Sequence, residues 1–182
     1  MKITRTTTFS DTAAATVKLA QASAAGTETE ASRSDHVHGG PSLLVTPAAV
    51  TINNDSTLTA DGTLIFAAVA NTNYFAEWWV GVASNSDTGF KVSVTVPTSA
   101  TISMFVGSST DNGSKPYGNA NNTGSAVDTD VAGANTQAVY VWAYVENKPN
   151  AGNVSLLWAQ RAAQAQDTTV IKHSVLRYQV VA

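Results

Sequence analysis

The chain has 182 residues, no cysteine, a net charge of −3 and only 13% charged residues, about half the usage near 25% of ordinary globular proteins. That length holds one domain with a tail and buries a real core, while disulfides, thiolate metal sites and cysteine nucleophiles are excluded. The charge provides no cationic field for nucleic acid or an anionic membrane, and a surface so short of charge points to burial against other protein.

Residues 1–42 differ from the rest. They are rich in Ala, Thr and Ser, and their larger apolar side chains are Ile3, Phe9, Val17, Leu19 and Val37. Gly26 and Gly39-Gly40-Pro41 punctuate them. The composition predicts an extended N-terminal arm that becomes ordered on a partner, with Ile3, Phe9, Val17, Leu19, Arg33 and Asp35 as partner-binding side chains. The arm has no signal-type apolar run, and no stretch nears the ~20 apolar residues of a membrane span. The expectation is a chain made in the cytoplasm that uses no membrane.

His36 and His38 stand two apart, so an extended backbone projects both imidazoles to one side. Three parallel chains about an axis would converge six nitrogens, a set that suits an octahedral divalent transition metal. The alternative is a polar linker whose histidines only hydrogen-bond. No other cofactor is expected.

From Leu43 the texture changes to short apolar or alternating runs between turn residues. Strands are predicted at 43–46, 49–52, 63–69, 74–83, 90–96, 101–106, 138–145, 153–162 and 168–181. The connectors carry Asn-Asn-Asp, Ala-Asp-Gly, Asn-Gly and Lys-Pro-Asn-Ala-Gly, which is turn chemistry. Repeated strands with no convincing helix predict an all-β domain over 43–182, an antiparallel, jelly-roll-like β-sandwich.

Two strands are apolar on both faces. In 74–83, Tyr74, Trp78, Val80 and Val82 share one face, with Phe75, Trp79 and Ala83 on the other. In 139–145, valines line one face and Tyr140, Trp142 and Tyr144 the other. One face suits the sandwich core. The second needs a loop, the arm or a neighbouring subunit, and Phe75, Trp79, Tyr140, Trp142 and Tyr144 are therefore candidate subunit-interface residues.

Residues 107–137 have no periodicity and are rich in Gly, Asn, Ser and Thr. They read as one long loop, either a solvated insertion or a recognition loop for glycan carrying Tyr117 and Asn121. Nucleotide-binding, zinc-protease and serine-hydrolase motifs are missing. His173 falls within the last predicted strand beside Lys172 and reads as a strand residue, not a base. Enzyme activity is not expected.

Gly26-Thr27 followed by Ala31-Ser32-Arg33-Ser34-Asp35-His36-Val37-His38-Gly39 resembles a motif recurrent in structural proteins of tailed-bacteriophage virions, where it precedes a β-rich domain. Ser56-Thr57-Leu58 with Leu64-Ile65-Phe66, Ala70-Asn71-Thr72-Asn73-Tyr74, Phe90-Lys91-Val92 with Val96-Pro97, and Thr168–Ser174 are similar, more loosely, to sandwich domains of such proteins. The resemblance implies a homotrimer located in the virion. The expected function is non-enzymatic: capsid decoration or cementing, with the arm on the major capsid protein. The alternatives are a short tail fibre or host-receptor (glycan) binding protein contacting tail proteins, and a carbohydrate-active enzyme or lectin domain on the same sandwich.

Overall fold

The computed structural model describes residues 40–84, 89–109, 117–120, 126–129 and 136–181, with only the backbone for 117–120. The compact unit that holds the strands is Pro41–Ala182.

Period-two alternation and a wealth of Val, Thr and aromatic residues make the longer segments pleated strands. In chain order these are β1 (Ser42–Val45), β2 (Val50–Ile52), β3 (Thr59–Ala68), β4 (Asn73–Ser84), β5 (Phe90–Thr95) and β6 (Thr101–Ser108). They continue as β7 (Tyr117–Ala120), β8 (Val127–Thr129), β9 (Gln137–Glu146), β10 (Gly152–Gln160), β11 (Thr168–Val170) and β12 (Val175–Val181). All pairings are antiparallel among the described strands.

One sheet runs β1-β12-β4-β9-β6-β7, with β11 lying between β2 and β4; the other runs β3-β10-β5-β8. Taking β1 with β2 and β11 with β12 as two interrupted ribbons, and setting β6 and β7 aside, these are the two four-stranded sheets of a jelly roll. The hairpin β6–β7 is an insertion between β5 and β8. It widens the first sheet beyond β9.

The core lies between the sheets. Trp78 is fully buried and its Nε1–H donates to the Leu64 carbonyl at 3.2 Å, tying one sheet to the other. Phe66 stacks on Tyr178 at 4.1 Å between centroids, and Phe90 lies against Trp158 at 5.9 Å. Val92, Val94, Val139, Val141 and Val145 point inward and are buried. The Tyr74 hydroxyl reaches past the sheet end and accepts from the Val69 amide at 2.8 Å.

Two features depart from the sequence expectation. The predicted strand 168–181 is broken. Between the pairs Val170↔Val82 and Val175↔Trp79, β4 has two residues and the other ribbon four, Ile171–Ser174. His173 takes φ 69° there, so it is a turn residue and not a strand residue. The ribbon β1/β2 breaks at the same level, at Thr46–Ala49. The two breaks hold each other. Thr46 Oγ1 accepts from the Ser174 amide at 2.9 Å, and the Thr46 amide donates to the Ser174 carbonyl at 2.9 Å. The Ser174 hydroxyl accepts from the Gly81 amide at 3.1 Å and donates to the Ile171 carbonyl at 2.9 Å.

The expected loop 107–137 is not one loop. Gly107 and Ser108 complete β6, Gln137 opens β9, and β7 and β8 lie between them. Tyr117, expected in a loop, begins β7, and its backbone is paired with Val106. Asn121 lies outside the described residues, as do Ile3, Phe9, Val17, Leu19, Arg33, Asp35, His36 and His38.

Candidate interaction face

The strands of the larger sheet place their outward side chains in registered rows. Val45, Val175, Trp79, Tyr140 and Gly107 form one row across β1, β12, β4, β9 and β6. Leu43, Arg177, Glu77, Trp142 and Phe105 form the next. Gln179, Phe75, Tyr144 and Ser103 form the third. The five residues expected at a subunit interface, Phe75, Trp79, Tyr140, Trp142 and Tyr144, therefore share the outer face. Their valine counterparts fill the core.

The face is exposed. Trp79 is 56% exposed, Tyr144 41% and Phe105 36%. Among the described residues, five of the eight exposed large apolar side chains, these three with Leu43 and Val45, lie on this one face. Scattered apolar residues need no explanation, but a contiguous patch on a soluble surface marks a contact site. The rings hold one another in place. Trp79 meets Tyr140 edge-on at 5.7 Å, Phe105 packs on Trp142 at 5.1 Å, and Tyr140 lies nearly parallel to Trp142 at 6.1 Å. Such mutual support limits the side-chain entropy lost when a partner docks.

Where β6 joins β9 the face has a hollow of about 360 Å³, lined by Phe75, Ser103, Phe105, Trp142 and Tyr144 with parts of Met104 and Ala143. It exists because Ser103 is short where its neighbours are aromatic. The inserted hairpin thus contributes one wall and the floor of the hollow.

Charge on the face is internally compensated. Arg177 reaches Glu77 at 3.5 Å. Glu146, at the end of β9, pairs with Lys148 and accepts from the Thr101 hydroxyl at 3.0 Å. The Lys148 ammonium beside Glu146, and then Thr101, hold its carboxyl below the usual carboxylate range. The opposite outer face, on the smaller sheet, is different in kind. Its outward rows mix Thr63, Lys91, Thr95 and the buried Ser93 and Ser155 with Ile65, Leu157 and Ala159, and none of its large apolar side chains is exposed among the described residues.

Sequence reasoning missed Ser103, Phe105, Leu43 and Val45. The alternation in β6 sets Ile102, Met104 and Val106 on the buried side, which leaves Ser103 and Phe105 outside. That β6 lies beside β9 is a matter of topology, and no local pattern carries it. Among the described residues, no group of three or more His, Asp or Glu side chains could hold a metal ion. No protein-family model, curated protein or solved structure matches the chain.

Proposed function

We propose that this protein is a non-enzymatic structural component of a tailed-bacteriophage virion, a homotrimer that decorates or cements the capsid. The observation that carries the assembly role is the exposed aromatic face of the larger sheet. A jelly roll needs one apolar face per sheet, and this sheet has two. The second is built from Trp and Tyr, residues enriched where proteins bind one another. The virion location is supported by the resemblance of residues 26–39 to the recurrent phage motif. The fold supports neither head nor tail over the other, since jelly rolls serve capsid proteins and lectins alike.

In this reading the segment 1–42 attaches to the major capsid protein, and the jelly roll projects from it. Ordering a segment on binding costs conformational entropy, which a long line of contacts offsets. The test is to separate purified virions into heads and tails and to identify this chain by mass spectrometry. It is expected on heads, and heads stripped of it are expected to open at lower temperature. Its presence on tails alone would reject the capsid reading and favour a short tail fibre that binds the host.

A further inference from the structure

We infer that the aromatic face is a self-complementary interface, occupied by a second copy of this chain, with Trp79 of one copy seated in the hollow of the next. The inference rests on reading the face as an assembly surface, and not on the location in the virion.

Knob and hollow lie on the same face. Trp79 is the most exposed aromatic side chain of the described residues. The hollow is an open depression of about 360 Å³, and an indole can lie against the rings that line it. Four aromatic rings and the Ser103 hydroxyl line it, with no charged side chain. That lining selects an apolar ring over an ionic ligand.

The placement allows closure. Phe75 is four residues from Trp79 on β4, about 13 Å along the strand, and the hollow lies one to two strand spacings to the side, roughly 5–10 Å. Knob and hollow therefore occupy opposite halves of the face. Two copies related by a twofold axis in the plane of the face exchange knobs mutually. Three copies around a threefold axis each give a knob to one neighbour and receive one from the other. Both arrangements bury Tyr140 and Trp142 near the middle.

Charge and area agree. The acids of the face, Glu77 and Glu146, are each paired with a base, Arg177 and Lys148. A second copy therefore meets no uncompensated like charge, whereas a strongly acidic or basic partner finds no counter-field. The five strands have 4, 7, 12, 10 and 8 residues and at ~3.3 Å per residue and ~4.8 Å per strand cover roughly 650 Å². A stable interface buries ~800 Å² on each partner, so this face nearly suffices by itself.

The experiment is sedimentation of the full chain at about 10 µM, for the native protein, Trp79→Ala, Ser103→Trp, and Lys91→Ala as a control on the opposite sheet. Trp79→Ala removes the knob, and Ser103→Trp fills the hollow at an exposed strand position that tolerates an aromatic residue. The native protein and Lys91→Ala are expected to form the same oligomer. Each face variant is expected to associate at least about 30-fold more weakly, as loss of an interface tryptophan does. An equal mixture of the two variants is expected to regain association, since one supplies the knob and the other the hollow. Circular dichroism and thermal unfolding establish that each variant is folded. A native protein that is monomeric at this concentration overturns the inference, as do folded face variants that keep the native mass. Mass measurement on the pure protein decides this interface and head–tail fractionation decides the function, so either can fail alone.

Discussion

Replacing Gly81 with Ala tests how the interrupted ribbon sits on β4. The Ile171 side chain crosses directly over Gly81, and a Cβ there would lie 2.3 Å from Ile171 Cγ1 and 2.4 Å from Cδ1. Both distances are far inside van der Waals contact. The Ile171 backbone is held in place, and its partly buried side chain alone can move. Its amide donates to the Gly81 carbonyl at 2.9 Å, and its own carbonyl accepts from the Ser174 hydroxyl at 2.9 Å. The side chain must leave its rotamer or the turn must shift, and overpacking of this kind costs about 1–3 kcal/mol. Ala also restricts the unfolded chain relative to Gly, which returns about 0.4–1 kcal/mol. The net expectation is a loss of about 1–2 kcal/mol, a fall in Tm of roughly 3–8 °C for a domain of this size. Urea and thermal unfolding of Gly81→Ala, Ile171→Ala and the double variant measure it. In the Ile171→Ala background the crowding atoms are gone, so Gly81→Ala should be neutral or slightly stabilising. If Gly81→Ala matches the native protein, or costs as much with Ala at 171 as with Ile, the clash does not govern this site.

Thr46→Val removes the hydroxyl that accepts from the buried Ser174 amide. The donor is left poorly paired, for a loss of about 1–3 kcal/mol in urea unfolding. Ser99 and His173 hold φ 69°, a region that costs a residue with a side chain about 1–2 kcal/mol. Ser99→Gly and His173→Gly should therefore each raise Tm slightly, despite the added freedom of the unfolded chain. Because Glu146 ionises more readily in the folded state, its contribution is fully present above the ordinary glutamate range. That contribution is lost as pH falls through the depressed folded pKa. Glu146→Gln should narrow the stability gap between neutral and acid pH, with the differences confined to that acid limb of a pH series of melts.

The all-β character, the approximate positions of eight strands and the two-faced nature of β4 and β9 were legible because each rests on local alternation. What escaped depends on distant partners. Tyr117–Ala120 and Val127–Thr129 are strands of four and three residues inside a Gly- and Asn-rich stretch. They are held by β6 and β5 and not by any periodicity of their own. The break at Ile171–Ser174 carries no Gly, Pro or Asn. Its sign lies on the neighbouring ribbon, where Pro47 sits in the matching interruption. Alternation grouped Tyr140, Trp142 and Tyr144, yet could not say whether they or the valines would face the core. The core already receives Trp78, Phe90 and Trp158. With those large side chains present, small β-branched residues from β9 complete the packing, and the rings go outside. The hollow was beyond reach because its walls come from three strands, β4, β9 and the inserted β6, far apart in sequence.

The paired interruption of β1/β2 and β11/β12 has a consequence for how assembly ends. A long, straight border strand offers unsatisfied amides and carbonyls to any passing chain, which invites growth without limit. Here the border is cut into pieces of four and three residues, and the Thr46 amide and carbonyl are taken by the Ser174 carbonyl and the His173 amide. Strand addition finds no continuous template along that margin. Along that margin, contact with another chain is left to side chains and not to a shared strand ladder.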